Sequence, residues 1–211
     1  MTDFQEDEFR NKSEADVIAL LEGSSGMMIY WARFACDANN EEPIDQQLAK
    51  NPNIIMIRNQ AKITIDNPTG NGYLVVTGFT AYNTNAFGTV APYHPTKGWV
   101  WSSNADVEPF VTLPANDAKL SDIQDVQDIS QNPELYVFEC ENSSEDPVSV
   151  IIRGHLPGES EELYYRVMLI KANGEQELIR RNHHYMFHIA GALSYGQPTF
   201  CLLYTSPSPR D

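Results

Sequence analysis

Apolar and polar positions alternate with a period of two through much of this chain, and that alternation predicts strands. Between 54 and 65, Ile55, Ile57, Ala61, Ile63 and Ile65 fall on one face. Arg58, Gln60, Lys62 and Thr64 fall on the other, and Asn59 interrupts the pattern. One apolar and one polar face suit an outer sheet of a sandwich. The turn-forming run Asn67-Pro68-Thr69-Gly70-Asn71-Gly72 follows. Residues 73–82 are expected to return antiparallel to 54–65, with Ile57, Ile63 and Ile65 buried. The same logic places Tyr165, Val167 and Leu169 on one strand face, and Tyr185, Phe187 and Ile189 on another. Asn173-Gly174 between them tolerate the positive φ of a turn, so 163–190 reads as a hairpin. Residues 135–140 and 148–153 are two further expected strands, around the polar segment 141–147.

Helical signals are few. Ser13 with Asp16 three residues on resembles a capping box. Val17, Leu20 and Leu21 then recur at helical spacing and Gly23 can end the turn, which predicts a helix over 13–22. Residues 27–35 are β-prone, 44–50 can form a short helix, and 120–129 a helical turn. Residues 83–135 lack strong periodicity and read as a long loop, of the kind that carries function or insertions.

Composition narrows the function classes. Formal net charge is −15 over 211 residues, with 14 Lys and Arg. That argues against a nucleic-acid binder, whose affinity rests on cations neutralising phosphates, and equally disfavours anionic membrane surfaces. No apolar run is long enough to span a bilayer as a helix, and the acidic start lacks the apolar core of a signal peptide. Cys36, Cys140 and Cys201 have no disulfide or zinc spacing. Cys36 and Cys140 read as small buried apolar residues. The end, Cys201–Asp211, changes character abruptly, and all eleven residues match the translation of a transposon-type sequencing adapter. The chain is therefore expected to be a fragment whose natural sequence runs on past Phe200.

Tyr164-Tyr165, a polar turn, and then Arg181-Asn182-His183 with Tyr185 resemble the fimbrillins, pilus subunits of Gram-negative oral and gut bacteria. Those proteins carry a tyrosine-rich strand followed by an R-N-H-x-Y strand near the C-terminal end. IIMIRNQAKITI at 54–65 and GFTAYNTNAFGTVAPY at 78–93 resemble the stretch leading from their first domain to their second. The resemblance runs in order over about 13–200. It departs at both ends, where the lipoprotein cysteine and the final strand have no counterpart. It implies a mainly β fold, an antiparallel β-sandwich (Ig/transthyretin-like) with one short helix near the N-terminus. Residues 1–62 would be a remnant of the N-terminal domain, 63–200 an incomplete C-terminal sandwich, and 201–211 the adapter-derived tail. The implied function is a structural fimbrium subunit, exported as a lipoprotein and trimmed, that polymerises by strand donation and mediates adhesion at the outer membrane. Its partners would be other pilus subunits, with surface glycans or proteins as adhesion targets.

Candidates for chemistry are weak. His183 and His184 point to opposite strand faces, and His184 and His188 lie about 13 Å apart at ~3.3 Å per residue, too far to share one metal. Glu161/Glu162 and Asp106/Glu108 lack the spacing of a glycosidase pair. No catalytic residue, cofactor site or metal site is assigned, and no enzyme activity is expected. Tyr93, Trp99, Trp101 and Phe110 are a candidate stacking platform for sugars, which makes a carbohydrate-binding module of a glycan-uptake system the alternative function. Asn142-Ser143-Ser144 fits a glycosylation acceptor pattern.

Overall fold

The alternating segments become strands, and the chain is mainly β with several antiparallel sheets. A computed structural model describes residues 10–13, 16–17, 21–24, 28–32, 43–50, 56–66, 74–94, 98–99, 119–120, 126–145, 147–190 and 196–205. In chain order the elements are β1 (Glu22–Ser24), β2 (Tyr30–Trp31), α1 (Ile44–Ala49), β3 (Ile57–Arg58), β4 (Gln60–Asp66) and β5 (Val75–Tyr82). The short strands β6 (Thr84–Asn85), β7 (Phe87–Thr89), β8 (Tyr93–His94), β9 (Gly98–Trp99), β10 (Lys119–Leu120) and β11 (Gln127–Asp128) come next. The chain then forms β12 (Glu134–Phe138), β13 (Ser149–His155), β14 (Leu163–Met168), β15 (His184–His188) and a last turn of helix, α2 (Leu202–Thr205).

Two main sheets carry the core. One has the order β11-β5-β13-β14 and the other β12-β4-β15. Val76, Phe79, Val150 and Ile152 from the first meet Ala61, Ile63 and Val137 from the second in one apolar cluster. Leu169 and Ile189 join it, and Tyr165, Val167, Tyr185 and Phe187 pack against it. All neighbours in these sheets are antiparallel except β15, which runs parallel to β4.

Several expected pairings are corrected. The segments 54–65 and 73–82 do not form a hairpin, because β4 pairs with β12 and β15 while β5 pairs with β11 and β13. The strand faces hold: Ile57 and Ile63 are buried and Ile65 half-buried. Likewise 163–190 is not a paired hairpin, since β14 lies on β13 and β15 on β4. The two strands belong to opposite sheets and meet face to face through the apolar positions that alternation assigned. Period-two patterning fixes which side is buried, whereas strand partners are set by distant contacts. The local turn is as expected, with Gly174 at φ +86° and its N–H donating to Lys171 O at 2.9 Å.

Among its described residues, the expected long loop at 83–135 holds six short strands, β6 to β11. Residues 119–120 and 127–128 are extended rather than helical, held by ladders to β6 and β5. Near the start, Ser13 Oγ accepts from Asp16 N at 3.2 Å and Asp16 Oδ2 accepts from Ser13 N at 3.3 Å, the reciprocal bonds of a capping box. Asp16 and Val17 are helical, but Glu22 begins β1, so the helix does not reach the expected end at 22. The helix expected at 44–50 is α1, which follows Pro43. β4 runs across the expected 62/63 domain division.

Candidate functional site

Sheet edges are where a β protein can take on further strands, and natural edges are usually blunted by charge, proline or a bulge. Among the described residues β15 has one ladder partner, β4. Its sequence, HYMFH, contains no proline, lysine, arginine, aspartate or glutamate. β14 closes the other sheet on the same side, with a ladder to β13 and a single bridge between Tyr164 and Gln197. Between the two edges runs an open groove of about 320 Å³, lined by Met168, Leu169, Ile170, Glu177 and residues 184–187. Met186 is 64% exposed and Ile170 44%. A strand laid here would extend a ladder and bury apolar surface at the same time.

The outer face of the three-stranded sheet differs, because its polar groups bond one another. Lys62 pairs with Glu134, which also accepts from Tyr136 Oη at 2.6 Å. Those two bonds, the lysine's first, hold the Glu134 carboxyl below its usual range. Arg58 lies over the Tyr136 ring, 5.8 Å from its centre.

The R-N-H-x-Y residues fix how β15 enters the sheet. Arg181 is 5% exposed and pairs with Glu139 Oε2 at 2.9 Å. Asn182 sits at φ +57°, and its N–H donates to Gln60 O at 3.0 Å, turning the chain alongside β4. Tyr185 Oη donates to Leu178 O at 2.8 Å and accepts from Arg180 N at 3.0 Å, clasping the approach to the strand. Burial raises that phenol's pKa.

The histidines are each engaged separately. His183 Nδ1 lies 2.8 Å from Arg181 O, His184 Nε2 2.8 Å from Thr64 Oγ1, and His188 Nδ1 2.8 Å from Asp66 Oδ2. Among the described residues no group of three or more His, Cys, Asp or Glu could hold a metal ion. Glu161 is exposed, while Glu162 accepts from Thr77 Oγ1 at 2.6 Å and pairs with Arg153 at 3.3 Å. Tyr93 and Trp99 are brought together as direct ladder partners of β8 and β9. Trp101, Phe110, Asp106, Glu108 and Cys36 lie outside the described residues. Cys140 is fully buried, and burial pushes its thiol up to about 11. Cys201 is exposed.

Asn142 is buried. Its Nδ2 donates to Leu169 O at 3.1 Å and Glu177 O at 3.0 Å, and its Oδ1 accepts from Val148 N at 2.8 Å. An amide engaged three times inside the fold is no glycan acceptor there. The Glu139–Arg181 pair went unnoticed in the sequence, although one signal was available. Glu139 is an acid inside the apolar run Leu135–Cys140, and a charge in such a run needs a buried partner.

The described residues thus define a mainly β chain with two sheets on a common core and an open groove of mixed lining between two strand edges. Comparison with protein-family models, with curated proteins and with solved structures finds no match.

Proposed function

We propose that the chain is a fimbrillin-like structural subunit of a bacterial surface pilus, an Ig/transthyretin-like β-sandwich that assembles by strand addition outside the outer membrane. The observation that supports this reading is the open groove between β14 and β15, lined by Met168, Leu169, Ile170, Met186 and Phe187 as well as Glu177 and His184, beside an edge strand with no proline, lysine, arginine or acid to blunt it. In β-augmentation, backbone hydrogen bonds give affinity and alternate side chains fill pockets. No residue acts as a catalyst in this reading, and the partners are other pilus subunits.

The test uses an extended peptide of alternating valine and threonine, beside the same peptide carrying proline at its centre. The alternating peptide should raise the melting temperature, by the equivalent of ~2.7 kcal/mol at a hundredfold excess over its dissociation constant. Met186→Lys, which puts a charge on the edge, should weaken the shift. Equal shifts from the two peptides, or none from either, would count against strand addition here.

A carbohydrate-binding module is the second reading, favoured by the Tyr93–Trp99 cross-strand pair. Two aromatics opposite one another can stack on a sugar. Tryptophan fluorescence should then saturate on titration with surface oligosaccharides, and Trp99→Ala should abolish the response. Unchanged saturation in that variant would remove this site from consideration.

A further inference from the structure

The β1–β7 ribbon stands apart from both main sheets. Its three ladder pairs join Glu22–Ser24 to Phe87–Thr89, and Val90 N donates to Leu21 O at 2.9 Å. Among the described residues no ladder connects the ribbon to either main sheet. It is laid over the outer face of the three-stranded sheet at one end. A Cβ on Gly88 would stand 2.3 Å from the Phe138 ring, so the ribbon backbone rests directly on that ring, an approach glycine permits. Phe138, on the face away from the shared core, is only 2% exposed beneath this cover, while its ladder partner Gln60, 3% exposed, borders a cavity lined also by Thr84, Asn85 and Leu120.

Among the described residues, one side chain from elsewhere bonds the cover directly. The Arg181 guanidinium donates from Nη1 to Val90 O at 2.8 Å, and from Nη2 to Thr89 O at 3.1 Å and Thr89 Oγ1 at 2.6 Å. On the body side it pairs with Glu139, whose Oε1 also accepts from Arg181 N at 3.1 Å. Arginine suits this place because its planar fork can address several acceptors at once. We propose that Arg181 is the latch of a detachable strap, with the β1–β7 ribbon opening as a unit from a body that stays folded. Opening uncovers Phe138. Attachment with no ladder to either main sheet among the described residues puts the ribbon at the low-stability end of the molecule.

Hydrogen exchange of the full chain, read by mass spectrometry, tests this directly. In the unaltered protein, amides in 21–24 and 87–90 should exchange at least about tenfold faster than those of β13. Arg181→Lys keeps a cation beside Glu139 but loses the fork, and should speed ribbon exchange about tenfold further while β13 stays within about twofold. Thr89→Val removes the hydroxyl that accepts from Arg181 and donates to Ala91 O at 3.0 Å, and should also act on the ribbon alone, which keeps the test open if Arg181→Lys fails to fold. Equal exchange of ribbon and β13 in the unaltered protein would overturn the proposal. So would parallel acceleration of both regions, or no acceleration, in the variants that fold.

Discussion

Leu169→Ala is expected to lower the unfolding free energy by ~2–5 kcal/mol, through lost transfer energy and the cavity left behind. Leu169 is 4% exposed and belongs to the core cluster shared by the two main sheets. Met186→Ala, at a side chain 64% exposed on the groove, should stay within ~0.5 kcal/mol. Urea unfolding of both variants, with unchanged m, checks the pair. Comparable losses at the two sites would mean that the facing of these strands is wrong.

Asn142→Ala should cost ~3 kcal/mol, a large effect for one small polar side chain. It leaves Val148 N–H, Leu169 O and Glu177 O without the amide that joins them. Each buried group stranded this way costs about 1–3 kcal/mol, and the carbonyls less where other donors reach them. The side chain ties the start of β13 to the end of β14 and to the chain approaching β15. Thermal unfolding should therefore fall by well over several degrees. A loss below about 1 kcal/mol would show that water replaces the amide.

Local signals in this sequence were legible and distant ones were not. The faces of 57–65, 165–169 and 185–189, the Asn173-Gly174 turn, the Ser13–Asp16 cap and the helix at 44–49 all follow from spacing within a few residues. Both expected hairpins failed for one reason. The chain crosses between sheets after β4 and again after β14, and nothing local distinguishes a turn that closes a ladder from one that changes sheet. Gln60 reads as a solvated polar position by alternation, yet it is buried, beside Thr84, Asn85 and Leu120 from farther along the chain. The groove was half legible. The apolar content of 163–190 was evident, but that its two strands form the edges of different sheets needed the structure. Of the sugar platform, the structure pairs Tyr93 with Trp99.

The place of β4 at the centre of its sheet bears on how the chain folds during synthesis. Its side-chain partners lie 72 residues away on β12, at Glu134, and 120 and 122 residues away on β15, at His184 and His188. Closing such long loops is slow, because their entropy is lost before the contacts reward it. At about 5–20 residues per second, the ribosome would leave β4 waiting several seconds for its last neighbour. Through that interval a strand apolar on one side has both edges open, in the state most prone to wrong pairing. A holding chaperone that binds extended apolar segments would therefore raise the yield of folded chain most when present during translation, and much less when added afterwards.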